Sequence, residues 1–331
     1  MKRRLFFAYN LDSVKKSLSF GIVYLPMPFL SYRLKVILAF AAVYIIWGST
    51  FFGVQVALKS FPPFMLSALR LLIAGAALGV FCIANRERAP SAADLGKNVL
   101  WGLIIFVGGV VFVVWAQQFI SSSLASAIIT TPFWFIVLDK PQWKFYFSSK
   151  WIVGGLILSL IGVIILASFK QGRVGSADQF MQTIAVLAMI TGSGMWVAGS
   201  LFLKYKPTAT TVYVNTAIQL LSAGTFCVFL SLATDDFDKF SMANVVPAAV
   251  IWLIYLAVVS SMITFLAFQW LIRVKPPAIV STYAYVNPLV ATILGWLFAN
   301  ENITGTQLLA LAIILTGVFC VNVPRYLAMK S

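Results

Sequence analysis

Arg70 is the one ionisable side chain set well inside an apolar run, within PPFMLSALRLLIAGAALGVFCIA at 62–84. At 1.5 Å per residue it stands about 10 Å along a helix that begins at Pro62-Pro63. A cation at that depth is costly unless it is paired or reaches water. Three roles fit it: an anchor for a substrate carboxylate or phosphate, a clamp on backbone carbonyls or a neighbouring loop carboxylate, or snorkelling to the outer interface. The chain has no histidine, and Asp139 and Glu301 fall at helix ends rather than inside a run. Proton relays, intramembrane proteases and metalloenzymes all need titratable or ligating groups at depth. Proton coupling and enzyme chemistry are therefore disfavoured, and no metal is called for. No Walker or Rossmann loop appears, which excludes ATP-driven pumping by this chain alone and removes any need for a nucleotide cofactor.

Polar and aromatic residues recur at three- and four-residue spacing, which places them on shared helix faces. Trp115 and Gln118 pair in this way, as do Trp196 and Ser200, Asn215 and Gln219, and Tyr283 and Asn287. Such groups face a bundle interior rather than lipid. Each alone reads as an interhelical hydrogen bond; together they suit a cavity for an amphipathic or aromatic metabolite. Pro132 and Pro288 sit roughly mid-run in two further apolar segments, where each frees the carbonyl four residues earlier, Ile128 and Ala284. A freed carbonyl at membrane depth is tolerated when protein or a water-lined cavity satisfies it. The two prolines are read either as cavity wall and hinge or as packed kinks.

These residues need long apolar elements to hold them. Of 331 residues, 61% are hydrophobic and 10% charged, with a mean hydropathy of +0.96. That lies far outside soluble domains, which are about half apolar and a quarter charged. Ten spans of roughly 20 residues can be drawn: 36–57, 63–84, 97–118, 122–138, 151–169, 181–203, 210–232, 247–271, 277–299 and 305–323. The expected fold is an all-α polytopic membrane protein. The net charge of +15 comes from short basic segments beside apolar runs, so it reads as membrane orientation rather than nucleic-acid binding. Nineteen of the 24 basic residues fall on one side and four on the other, which puts both termini in the cytoplasm. Cys82, Cys227 and Cys320 all lie in apolar segments and read as buried packing. Trp101, Trp143 and Trp151 lie near span ends and read as interface anchors. Residues 1–33 are expected to be a disordered basic tail without a signal-peptide cleavage site, with Met27 as an alternative start.

The chain also repeats itself. Arg70-Leu-Leu-Ile-Ala-Gly75 answers Gln219-Leu-Leu-Ser-Ala-Gly224, and Trp47 answers Trp196 at the same offset of 149. Pro132 answers Pro288 and Gly162 answers Gly317 at offsets of 156 and 155. Ten spans split five and five, and an odd repeat inserts its second copy inverted. Inverted repeats are common in secondary transporters, with the substrate near the midplane between halves.

The stretch WGSTFFGVQVALKSFPPFMLSALRLLIAG at 47–75 resembles the opening of an EamA-type member of the drug/metabolite transporter superfamily. YAYVNPLVATILGWLFANENITGTQLLALAIILTGVFC at 283–320 resembles the closing hairpin of that family's second repeat. The family usually has a Gly-Glu pair after the proline helix of each repeat; here the second copy keeps only Glu301, and the first reads Leu138-Asp-Lys-Pro141. It often carries arginine at the Arg70 position whatever the substrate, which favours a structural role there. The resemblance implies five-helix repeats at 34–170 and 171–324, a cytoplasmic tail at 325–331, and a bacterial inner-membrane exporter of small organic molecules such as amino acids or aromatic metabolites. It places spans one, three, four, six, eight and nine centrally. The cavity candidates are then Trp47, Thr50, Trp115, Gln118, Trp134, Trp196, Ser200, Gln269, Tyr283 and Asn287, with spans five and ten peripheral. The alternative cargo is an anionic sugar derivative or nucleotide sugar held by Arg70; a non-transporting receptor or scaffold is the other class. Partners are the lipid bilayer and a small-molecule substrate, with monomer and homodimer both open.

Overall fold

The computed structural model describes residues 31–129, 131–168, 179–234, 236–299 and 304–329, and among them it is helical with no strand. The helices start where the local chemistry supplies missing hydrogen-bond partners. Ser31, Ser91, Ser121 and Thr211 each accept a hydrogen bond from the backbone N–H three residues on, opening α1 (Tyr32–Ala57), α3 (Ala92–Ala116), α4 (Ser122–Ile128) and α9 (Val212–Ala233). Proline occupies the first turn of α2 (Pro63–Ala84), α11 (Pro247–Val274) and α12 (Pro277–Val280), where no N–H is needed. The remaining helices are α5 (Thr131–Leu138), α6 (Trp143–Ser148), α7 (Lys150–Ser168), α8 (Gln179–Tyr205), α10 (Asp236–Lys239), α13 (Tyr283–Ala299) and α14 (Gly305–Met329).

Among the described residues seven helices are long and apolar enough to cross a membrane: α1, α2, α3, α8, α9, α11 and the stretch Pro277–Phe298 that joins α12 to α13. Lys140–Ser148 and Lys150–Gly162 form an eighth candidate bent by 97°, and Gly305–Val321 is a shorter apolar stretch. Two expected spans, 122–138 and 277–299, are interrupted. Residues 122–138 divide into α4 and α5, because α4 ends at Ile128, whose carbonyl is the one Pro132 leaves without a donor. Ile129 turns to an extended conformation (ψ 102°). Pro132 therefore sits in the first turn of α5 instead of kinking a continuous helix. After α5 come a 3-10 turn (Lys140–Gln142) and α6. Pro288 lies inside α13 as expected, although the chain also breaks at Ser281-Thr282 between α12 and α13. α14 carries helix through 325–329; Glu301 and residues 1–30 lie outside the described residues.

Three helices contain wide π-type turns: Ala42–Ile46 in α1, Val107–Val111 in α3 and Tyr255–Thr264 in α11. A wide turn takes up an extra residue and rotates everything after it relative to a regular 3.6-residue repeat. α7 and α14 pack on each other through glycines: a Cβ on Gly155 would lie 2.5 Å from the Gly317 carbonyl oxygen, and one on Gly162 would lie 2.9 Å from that of Ala310. α2 and α9 meet reciprocally. A Cβ on Gly75 would lie 2.9 Å from the Leu221 nitrogen, and one on Gly224 would lie 3.0 Å from the Leu72 nitrogen. These four residues are two pairs at the offset of 149. Overpacking such a contact costs about 1–3 kcal/mol. Gly75→Val and Gly224→Val are each expected to lower the unfolding temperature of the detergent-solubilised protein by several degrees. Gly79→Val, on the same helix with open space beside it, is expected to leave that temperature nearly unchanged.

Candidate functional site

A partly open cavity lies among α1, α2, α3, α8 and α13, with Ile129 entering from the break between α4 and α5. Its floor is aromatic. The Trp47 ring lies 5.4 Å from Trp196, 4.8 Å from Tyr283 and 5.1 Å from Phe268, mostly edge to face, as ring quadrupoles prefer. Trp196 can occupy this position because the wall opposite is bare backbone. Gly108 and Gly109 lie in the wide turn of α3, and a Cβ on Gly109 would collide with the Trp196 ring. The Trp47 indole N–H donates to the Ser260 carbonyl (3.4 Å), and the Thr50 hydroxyl to the Trp47 carbonyl (2.6 Å).

The polar groups of the cavity are incompletely matched. Trp196 Nε1, Gln117 Oε1 and Asn287 Oδ1 are buried without a hydrogen-bond partner, although all three residues line the space. Buried polar atoms are almost always partnered. Five others without a partner, on Trp134, Gln219, Ser231, Gln269 and Thr292, do not line this space, and it is the convergence of three on one cavity that suits a ligand or water there. Gln117 is 1% exposed and held in place by Gln55, whose side-chain amide donates to the carbonyls of Gln117 and Ile120 at 3.1 Å each.

Arg70 also lines the cavity, 6% exposed. Its Nε donates to the Ser261 hydroxyl (2.7 Å) and its Nη2 to the Ser260 hydroxyl (3.0 Å), both in the wide turn of α11. Its partners are thus neutral hydroxyls, not backbone carbonyls, and no carboxylate among the described residues pairs with it. A guanidinium has five N–H donors, so most of its capacity remains for other groups.

The structure gathers Trp47, Thr50, Arg70, Trp196, Tyr283 and Asn287 around one space. It sets the other sequence candidates elsewhere. Trp115 packs its ring on Phe119 (5.1 Å), and Gln118 donates to the Trp115 carbonyl (3.0 Å). Val113 and Gln117, four residues apart, share the cavity face of this stretch, and Trp115 and Gln118 lie off it. Trp134 packs beside Phe133 and against Gly194. The Ser200 hydroxyl turns back to the Trp196 carbonyl (2.7 Å). Gln269 borders a separate, smaller pocket with Asn215, Gln219 and Arg273. Gln117, Ser193 and the Gly108-Gly109 pair join the site only in the structure; the adjacent glycines in an apolar helix are their one signal in the sequence.

Asp139, expected at a helix end, does follow α5 but is completely buried. It accepts hydrogen bonds from the hydroxyls of Tyr146 and Tyr205, the latter at 2.5 Å. Among the described residues no group of three or more His, Cys, Asp or Glu could hold a metal.

The sequence profile of the EamA-like transporter family matches this chain twice, over residues 34–168 and 183–323. Curated relatives include the uncharacterized inner membrane transporter YedA of Escherichia coli (strain K12), 29% identical over 293 residues that cover 87% of this chain and 91% of YedA. The uncharacterized transporter YdfC of Bacillus subtilis (strain 168) is 25% identical, covering 82% of this chain and 86% of YdfC. Protein PecM of Dickeya dadantii (strain 3937) is 25% identical, covering 84% and 89%. A solved crystal structure shares the fold, with a TM-score of 0.67 at 17% identity over 91% of this chain and 99% of its own. With most of its length matched by two copies of one profile, this chain belongs to the EamA-like transporter family and is an integral membrane protein rather than an enzyme.

Proposed function

We infer that the chain is a secondary transporter that exports small organic metabolites, such as amino acids or aromatic compounds, across the bacterial inner membrane by alternating access. The observation that carries this reading is the cavity floored by Trp47 and Trp196, two residues at the offset of 149 that touch each other and face orphaned polar atoms. Aromatic rings would stack against a flat or apolar cargo, while Gln117, Asn287 and the Trp196 N–H would satisfy its polar groups. Ten helices in two inverted five-helix repeats, at 34–170 and 171–324, are the architecture we assign. The two profile matches and the reciprocal Gly75–Leu221 and Gly224–Leu72 contacts support it. So does a second correspondence. Arg70 bonds from the first half to Ser260 and Ser261, while its counterpart Gln219 bonds from the second half to Asn98. The chain breaks next to Pro132, and Pro288 adjoins the cavity residue Asn287, which suits the hinge role given to both. Both termini face the cytoplasm in this arrangement, and the inner-membrane location follows the relative YedA.

Purified protein in liposomes is expected to move at least one amino acid or aromatic compound from a broad metabolite panel. Trp47→Ala or Trp196→Ala should cut that flux at least tenfold without loss of folded protein. A panel with no flux above protein-free liposomes overturns the reading.

Arg70 supports the second cargo, an anionic sugar derivative or nucleotide sugar, because it lines the cavity with donors to spare and no carboxylate beside it. Arg70→Gln separates the two. If the cargo is neutral or Arg70 only clamps α2 to α11, transport by the folded variant stays within about twofold. If Arg70 holds an anion, transport falls by roughly a hundredfold, in line with losing one charge-assisted hydrogen-bonded pair.

A further inference from the structure

The segment Thr131–Ser148 is set off from its neighbours by two backbone interruptions. The chain is extended at Ile129 (ψ 102°) before it and at Ser149 (φ −114°, ψ 109°) after it, where the path bends by 97° into α7. Within those limits it is a unit. The Asp139 N–H donates to Phe135, the Gln142 N–H to the Asp139 carbonyl, and the Trp143 indole N–H to the Ile136 carbonyl (2.6 Å), which folds α6 back onto α5. Its polar attachment to the rest of the protein centres on one carboxylate. Asp139, 0% exposed, accepts one hydrogen bond from Tyr146 within the segment and one from Tyr205 at the end of α8. The Tyr146 oxygen in turn accepts from the backbone N–H of Ala278 at the start of α12 (3.4 Å). Tyr205 and Ala278 belong to the second profile match, Asp139 and Tyr146 to the first. This tie lies beyond the aromatic floor. Ser193, which lines the cavity, is twelve residues from Tyr205 on α8, roughly 18 Å along the axis.

We propose that Thr131–Ser148 is the gate that closes this end of the transporter, and that Asp139, bonded to Tyr146 and Tyr205, is its latch. The inference rests on the alternating-access reading. Hydrogen bonds to a carboxylate suit a reversible closure. Once water enters, the carboxylate and both phenols are solvated, so the opened state leaves no orphaned polar group, and the net strength of each bond is modest. Opening also parts apolar contacts, since Phe135 is fully buried in the main core and Ile136 and Phe145 pack on a second cluster, so the bonds of Asp139 and this seam give way together.

The test follows opening directly and needs no substrate. In detergent-solubilised protein, a small maleimide is reacted with Ser281→Cys, a fully buried position between α12 and α13, or with Ser193→Cys in the cavity. Peptide-resolved mass spectrometry separates these from the native cysteines, and Cys227, fully buried, reports on global unfolding. Adding Tyr205→Phe, which removes a single hydroxyl, is expected to raise the labelling rate at Ser281→Cys roughly tenfold, the shift that losing one hydrogen bond to a charged group produces. The rate at Ser193→Cys, in a cavity reached from either end, should change much less, with Cys227 still protected. Asp139→Ala should do the same more strongly. Unchanged rates at both reporters in both variants overturn the gate. So does a parallel rise at Ser281→Cys, Ser193→Cys and Cys227, which would make the tie merely structural. If the reporters respond as expected while no metabolite is transported in liposomes, the gate stands and the transport reading fails.

Discussion

Hydrocarbon offers no hydrogen bonds, and this one constraint shapes the whole molecule. Every backbone N–H and carbonyl at membrane depth must find its partner within the protein, so the apolar runs become helices, and irregular backbone survives only where something else satisfies it. The breaks in this chain follow that logic. The one at Ile129 borders the cavity, and the one at Ser281-Thr282 is stitched by three-residue turns, with Ser281 and Thr282 side chains bonded back to Ala278 and Ile279. Side chains obey the same rule. Arg70 rests on two serine hydroxyls, Asp139 on two tyrosines, and Asn98 joins Asn215 to Gln219. Among the described residues eight buried side-chain atoms lack a partner, and three of them, on Gln117, Trp196 and Asn287, converge on one space.

Small residues set how closely the helices approach, and thereby where that space lies. Without a water-driven hydrophobic effect between helices, association in a membrane depends on close packing, which glycine permits. Gly75 and Gly224 bring α2 and α9 together, and Gly155, Gly162 and Gly317 bind α7 to α14 away from the cavity. Gly108 and Gly109 do the opposite service: they leave a shallow wall against which the Trp196 indole lies flat enough to form a floor with Trp47. Residues at the offset of 149 recur in these contacts, which is the pattern a two-fold arrangement of related halves would produce.

The extent to which the site was legible in the sequence can be traced residue by residue. Trp47, Arg70, Trp196, Tyr283 and Asn287 were identifiable because polar and aromatic types in apolar runs are conspicuous and rarely face lipid. Gln118 is paired with Trp115 by their three-residue spacing, but the face of this stretch that lines the cavity carries Val113 and Gln117 instead. Ser200 was grouped with Trp196 on one face, but a serine hydroxyl in a helix can be satisfied by its own carbonyl four residues back, and this one is. The span at 122–138 was drawn as continuous because apolar content shows no boundary there. The steric demand of Pro132 does, and it ends α4 at the very carbonyl that the proline leaves bare.

The amino-acid sequence by itself determined that this is a helical membrane protein built from two related halves of one transporter family. Runs of apolar residues, their punctuation by proline and serine, and the recurrence of matched residues about 150 positions apart are properties of the linear chain. Only the tertiary structure decided which side chains meet. Whether a glutamine faces a cavity or its own helix depends on local winding, and whether an acid at a helix end is solvated or buried depends on what packs over it. Asp139 shows the difference most plainly. Its position after α5 could be read from the sequence, but its complete burial between two tyrosines, one of them 66 residues away, arises from long-range packing that no local pattern encodes.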